Sequence, residues 1–307
     1  MPYIHFTEQQ KQQAAGVDLA AFLESRGEKL IRSGRDKRRD RDHSVTIRGN
    51  EWYDHADQKG GGPISFVQRF YDLDYPAAMD LLLGGGGIPF PAAREREEEP
   101  PKEFALPPAN KDSRRVFAYL VKCRKIAPEV VSHFVRAKLI YEDAEHHNAV
   151  FVGKDEDGVP RHAHKRSSAS FGKTFRINVE GCDPRYSFHH LGRDGALFVF
   201  EAPIDMLSYI TLHPEGWQEH NYVACCGTSF LPVEKMLERM AQAEEVFLCL
   251  DNDVGGHKAI KRMEDLLAEK GIYSQRLTPS KKDWNEVLTK MEPQEKEVQG
   301  ACQSLKC

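Results

Sequence analysis

Five apolar residues, Val246 to Leu250, run without a break into Asp251, Asn252, Asp253, Val254 and the pair Gly255-Gly256. An apolar run of that length, closed by turn residues, reads as a strand of a buried parallel sheet. Such a strand ends at the sheet edge where open α/β folds place their ligands. Residues two apart on an extended segment point the same way, so the carboxylates of Asp251 and Asp253 converge. Converging carboxylates repel unless one holds a proton or a cation lies between them. A hard divalent ion such as Mg²⁺ satisfies both. The alternative is a pair of ordinary acidic residues at a helix N-terminus.

Neighbouring segments argue for the cation. Ala196–Phe200 is another apolar strand, ending at Glu201, with Pro203 opening a helix. Residues 222–226 make a further strand ending at Gly227 and Thr228, and 272–277 a fourth, before Lys282, Asp283 and a short helix. Strands alternating with helices predict a parallel sheet with right-handed crossovers. Glu201, Asp251 and Asp253 then share one sheet edge, and Asp205 and Asp283 are candidates to join them as metal ligands. An acidic cluster facing a metal suits phosphoryl or nucleotidyl transfer, where the ion neutralises charge on phosphate oxygens.

Upstream the pattern changes. Residues 7–31 predict a helix, and 32–41 hold six Lys or Arg, read as a solvated loop or a phosphate-contacting patch. Short strands at 44–47 and 51–54, turning at Gly49 and Asn50, precede helices at 64–71 and 75–83. Residues 1–87 form a small module. The Pro- and charge-rich stretch 88–111 reads as a linker. Residues 112–194 begin with helices and turn β-rich. From Gly158 to Val179 there are five Lys or Arg, two His and no acid, in a chain of net charge −4. Arg161, Lys165, Arg166, Lys173 and Arg176, with Lys282 further on, are therefore candidates to hold nucleic-acid or nucleotide phosphates. A solvated edge strand is the alternative. Residues 291–307 read as a polar tail.

With 40% hydrophobic and 29% charged residues, no window approaches 18 uninterrupted apolar residues, and no signal peptide is visible. No membrane contact and a cytoplasmic location are expected. Seven cysteines without a C-x-x-C pair argue against a disulfide framework or a zinc ribbon.

The order Glu201-Ala-Pro-Ile-Asp205, then Gly227-Thr228, Asp251-Asn-Asp253-Val-Gly-Gly256 and Lys282-Asp283 resembles a Toprim domain over residues 195–290. That metal-binding α/β domain is shared by bacterial DNA primases, topoisomerases and some nucleases. Residues 112–194 are similar to the domain preceding Toprim in a primase-like family of mobile elements, and 1–87 resemble the zinc-ribbon module of bacterial primases. The fold implied is an α+β N-terminal module and middle domain followed by an α/β Toprim domain with a central, mostly parallel sheet. The resemblance implies a primase-like nucleotidyltransferase acting on single-stranded DNA and nucleotides, with Mg²⁺ or Mn²⁺ at Glu201, Asp251 and Asp253, in replication or transfer of a mobile element. A helicase or relaxase is the implied partner. A Toprim nuclease and a catalytically silent DNA-binding module are alternatives; a topoisomerase would need a further strand-passage domain. Where the ribbon carries Cys and His, this chain has Asp42-His43 and Asp54-His55-Ala-Asp57. No zinc is expected, and packing of Trp52, Phe66 and Phe70 is expected to hold the fold instead.

Two coincidences are set aside. The Asp251 motif resembles a haloacid-dehalogenase signature without enough following chain, and as an EF-hand loop it would place Arg262 where a glutamate is required. The glycine run 84–87 lacks the ending of a phosphate loop.

Overall fold

The computed structural model describes residues 6–34, 36–55, 57, 59–85, 90–93, 103–169, 174–240 and 243–291. The chain divides into two compact units, Met1–Pro100 and Pro101–Cys307.

In the first unit, the helix predicted over 7–31 is two helices, α1 (Glu8–Ala15) and α2 (Leu19–Ser25). A capping box of Thr7 and Gln10 starts α1, and Asp18 caps α2 by accepting from Ala21 N at 2.8 Å. The break between them has a partner: Ala93 N donates to Gly16 O and Asp18 N to Pro91 O, and Val17 bridges Ala92. Residues 90–93 of the supposed linker thus belong to this unit, and Phe90 packs on its core. The sheet runs β1 (Leu30–Ser33), β2 (Asp36–Arg39), β3 (Asp42–Arg48), β4 (Glu51–Asp54), β5 (Lys59–Gly61), in that order and antiparallel. Much of the basic run 32–41 is therefore strand rather than loop. Arg39 pairs with Glu28, and Lys37 with Glu24.

Helices α3 (Pro63–Tyr71) and α4 (Tyr75–Leu82) complete the unit. Val45, Ile47, Trp52, Phe22, Phe66 and Met79 fill its core. Trp52, Phe66 and Phe70 meet with ring centroids 4.6 to 6.0 Å apart, a separation at which aromatic pairs attract. At the positions where the ribbon would carry ligands, Ser44 Oγ lies 2.6 Å from Asp42 Oδ1 and 2.8 Å from Asp54 Oδ1. Arg69 Nη2 reaches Asp54 Oδ2 at 3.3 Å and also pairs with Asp57. His55 Nε2 lies 2.8 Å from Thr46 Oγ1. The side chain of His43 lies outside the described residues.

The second unit opens with α5 (Arg114–Ala118), a π-helical turn Tyr119–Cys123, and α6 (Pro128–Arg136). A four-stranded antiparallel meander follows: β6 (Ile140–Glu142), β7 (Ala149–Lys154), β8 (Pro160–Arg166) and β9 (Arg176–Asn178). Then come β10 (His189–His190), β11 (Ala196–Phe200), α7 (Pro203–Leu212), β12 (Asn221–Ala224), α8 (Leu231–Arg239), β13 (Glu245–Leu248), α9 (Val254–Glu269), β14 (Tyr273–Arg276) and α10 (Trp284–Lys290). The second sheet has the order β10-β12-β11-β13-β14. Its strands β12, β11, β13 and β14 are parallel and β10 is an antiparallel edge. This is the mostly parallel α/β sheet predicted from the strand–helix alternation.

One face of that sheet packs Val199, Val223, Val246 and Leu248 against Val233 of α8 and Ile260 and Met263 of α9. The other buries Phe198 and Phe200 with Leu207 of α7 and Leu288 of α10. Phe134, Phe151 and Phe188 from residues 112–194 join the same cluster. Each such aromatic contributes about 2–3 kcal/mol on burial, so the meander and the parallel sheet share a core. That joins the expected middle and C-terminal domains into one unit. Part of the expected linker belongs here too: Phe104 packs on the meander, and Asn110 N donates to Glu142 O at 2.8 Å. Among the described residues, no helix is long and apolar enough to cross a membrane.

Candidate active site

The buried strand β13 continues through Cys249 and Leu250 and delivers Asp251 to the carboxyl edge of the sheet. There the chain turns sharply into α9, and only glycine permits it: a Cβ on Gly256 would lie 1.9 Å from Asp251 O. Asp253 caps α9, its Oδ1 accepting from Gly256 N at 2.9 Å. Asn252 N donates to Lys282 O at 2.7 Å, which ties the β13 loop to the β14 loop. Lys282 Nζ stands 3.9 Å from Asp253 Oδ2. Asp283 caps α10 by accepting from Glu286 N at 2.7 Å.

Glu201 follows β11, and its side chain is 14% exposed. Gly227 N, in the loop after β12, donates to Glu201 O at 3.1 Å. That loop needs unusual backbone, with Cys226 at φ 53° and Gly227 at φ 148°. Asp205 lies buried in the first turn of α7 and accepts from Asn285 N at 3.2 Å.

Electrostatics bind these groups into one cluster. Burial pushes Asp251 up to about 8, and the charges of Glu201, Asp205, Asp283 and Asp253 add to the shift. Asp205 is raised to about 7, again by burial first and then by Asp283. Burial raises Glu201 against the pull of Arg176. Asp251 Oδ1 is buried without a hydrogen-bond partner. A buried carboxylate oxygen with no donor, repelled by its neighbours, costs free energy that a cation would recover.

Among the described residues, no group of three or more His, Cys, Asp or Glu is arranged to hold a metal ion. A hard cation of the Mg²⁺ class does not require such a cage, because it takes one or two carboxylates and completes its shell with water and substrate phosphates. All-oxygen donors and the orphaned Asp251 oxygen fit that mode, and Asp251 and Asp253, with Glu201 beside them, are the residues that could hold such an ion.

The basic stretch is divided by strand alternation. Arg161 and Lys165 point to one face of the meander, where Arg161 Nε meets Asp155 at 2.7 Å and Lys165 Nζ meets Asp143 at 3.1 Å. Arg166 and Arg176 are direct cross-strand partners on the opposite face. Arg176 Nη2 lies 3.7 Å from Glu201, Arg166 acts electrostatically on Asp205, and the buried Arg166 Nε has no hydrogen-bond partner. The structure thus brings Arg166, Arg176 and Lys282 to the carboxylates, while Arg161 and Lys165 are held by other acids. Lys173 lies outside the described residues.

Sequence reasoning missed Asn285. Its Nδ2 donates to Ser208 Oγ at 2.9 Å and to Arg124 O at 2.8 Å, beside the Asp205 contact. A buried asparagine on the second residue of a helix signals nothing until its partners are known.

Residues 198–288 match the family model described as Toprim-like, and 118–194 match one described as a protein of unknown function, DUF3991. The Toprim resemblance expected over residues 195–290 is thus met by a match over 198–288. The chain is 25% identical over 332 residues to an uncharacterized protein of Bacillus anthracis, pXO2-78, covering 95% of this chain and 92% of that one. Among solved structures it is similar to the primase fragment of the bacteriophage T7 primase-helicase protein (14% identity, 84% of this chain and 94% of that one, TM-score 0.47). The zinc-binding and RNA polymerase domains of the Aquifex aeolicus primase match at 17% identity, 97% and 86% coverage and a TM-score of 0.41.

Proposed function

We propose that the chain is a primase-like nucleotidyltransferase that acts on single-stranded DNA through its Toprim site, in replication or transfer of a mobile element. The observation carrying this reading is the buried, partnerless Asp251 oxygen set among four other carboxylates at a parallel-sheet edge. A divalent cation held at Asp251 and Asp253, with Glu201 beside it, would neutralise charge on the phosphate oxygens of a nucleotide.

The remaining roles fall to the chain's own side chains. Arg166, Arg176 and Lys282 supply positive charge next to the carboxylates and would orient nucleotide or template phosphates. Glu201, raised by burial, is suited to accept the proton of an attacking 3′-hydroxyl. As that hydroxyl oxygen bonds to the α-phosphorus, the bond to pyrophosphate breaks. Single-stranded DNA, nucleotides and a helicase or relaxase are the proposed partners.

Template-dependent primer synthesis with Mg²⁺ or Mn²⁺ tests the reading. Activity is expected in the unaltered chain and lost in Asp251→Asn and Asp253→Asn; synthesis that survives both changes would sink it. Incubating labelled single strands with metal and no nucleotides separates synthesis from cleavage.

A further inference from the structure

Residues 118–194 match a family without an assigned role, yet the Arg124 side chain from this region reaches α10, the helix that Asp283 caps. We propose that Arg124 is a positioning residue for the Toprim site: it locks Asn285 and, through it, fixes Asp205 and Asp283. The inference rests on the metal-site reading above.

Arg124 closes the π-helical turn, where Arg124 N donates to Tyr119 O at 3.1 Å. Its guanidinium sits 5.3 Å from the centroid of the Tyr119 ring, and Nε donates to Tyr119 Oη at 2.9 Å. Tyrosine thereby fixes the fork. Arg124 then grips Asn285 at both ends of its amide: Nη1 donates to Asn285 Oδ1 at 3.1 Å, and the Arg124 carbonyl accepts from Asn285 Nδ2 at 2.8 Å. The second amide hydrogen goes to Ser208 Oγ at 2.9 Å. Asn285 is 5% exposed, and both amide hydrogens and the carbonyl oxygen of its side chain have partners, so it has one orientation.

That orientation sets the start of α10. The Asn285 N–H donates to Asp205 Oδ1, and Asp283 caps the same first turn. Mutually repelling carboxylates drift apart unless their frame is rigid, and here a contact spanning 161 residues of sequence supplies the rigidity. The π-turn, a feature often found beside functional sites, has in this chain the task of placing Arg124. The region of unassigned role therefore completes the site.

The test uses the full chain and Mn²⁺ alone, with binding followed by electron paramagnetic resonance and folding by thermal denaturation. Arg124→Met keeps an apolar stem against Tyr119 and is expected to weaken Mn²⁺ binding about tenfold, the low end of the loss usual when the groups surrounding a metal site are disturbed. Arg124→Lys is expected not to rescue it, since a point charge cannot reach both Tyr119 and Asn285. Asn285→Ser carries the same expectation and stands in if Arg124→Met does not fold.

Folded variants that bind Mn²⁺ like the unaltered chain overturn the inference, as does a lowered midpoint with unchanged affinity. Mn²⁺ binding that Asp251→Asn abolishes and Arg124→Met leaves intact sinks the bracing and spares the metal site. Binding equal in the unaltered chain and in Asp251→Asn sinks both. Metal binding that depends on Arg124 without nucleotide incorporation supports the inference and overturns the proposed reaction.

Discussion

Each unit of this chain gathers aspartates, and the two gatherings are neutralised in opposite ways. In the first unit, Asp54 and Asp57 face the guanidinium of Arg69, and Ser44 sits between Asp42 and Asp54. The counter-charge is a side chain of the same unit. In the second, burial and mutual repulsion push Asp205 and Asp251 far above ordinary carboxylates, and Asp251 keeps an oxygen with no donor. A resident cation makes an acidic cluster part of the scaffold. An acidic cluster left short of positive charge is poised to take a cation from solution.

The largest effect that sharpens this contrast is at Asp251. Asp251→Asn is expected to cut primer synthesis by at least about a hundredfold, on the scale of losing one preorganised electrostatic group. The same change is expected to stabilise the metal-free fold at neutral pH by about 2 kcal/mol, because folding no longer has to protonate a carboxyl that is ionised in the unfolded chain. The pH dependence follows. With its folded value raised to about 8 from an ordinary carboxylate value near 3.8, Asp251 holds a proton in the folded state that it gives up on unfolding. Its contribution to stability is fully present below about pH 4 and is lost as pH rises towards 8. Thermal midpoints measured from pH 4 to 8 should therefore fall less steeply in Asp251→Asn. Equal slopes would mean that Asp251 is not the strained group.

At Arg69 the comparison predicts the reverse sign. Arg69→Met removes a guanidinium from beside the buried Asp54 and is expected to destabilise the first unit by about 2 kcal/mol. Adding Asp54→Asn should recover about half of that, as expected for coupled partners. Chelator is expected to leave the midpoint of this unit unchanged. One stoichiometric zinc ion in unchelated protein would break the comparison.

How much of this was legible in the sequence depends on the range of the interaction. Asp251, Asp253 and Gly256 were readable because a buried strand followed by a tight turn is written in consecutive residues. Long-range partners were not. The helix expected over 7–31 breaks because Gly16 O accepts from Ala93 N, a contact nearly eighty residues away in sequence. The supposed linker 88–111 loses its ends to both units for the same reason: isolated apolar residues such as Phe90 and Phe104 look solvated until a surface appears for them. The middle and C-terminal regions looked separable because nothing local announces that Phe134 and Phe151 pack with Phe198 and Phe200. The Arg124–Asn285 clasp is likewise invisible to any window. For the basic strand, composition gave the charge and could not give the face, because facing depends on which neighbouring strand supplies the carboxylates.

That last point yields the smallest effect. If Arg176 serves the site and Arg161 serves the scaffold, the two arginines should respond differently in one assay. Arg176→Ala is expected to weaken binding of a single-stranded oligonucleotide severalfold and to lower the slope of log affinity against log salt by about one, the signature of one lost phosphate contact. Arg161→Ala removes a partner of Asp155 on the opposite face and should leave that slope unchanged, with only a small fall in the thermal midpoint, since the Arg161 side chain is half exposed. Titrations at several salt concentrations, with thermal midpoints alongside, separate the two. Equal slopes for the two variants would show that both faces of the meander meet the strand, and the division of labour between its arginines would fail.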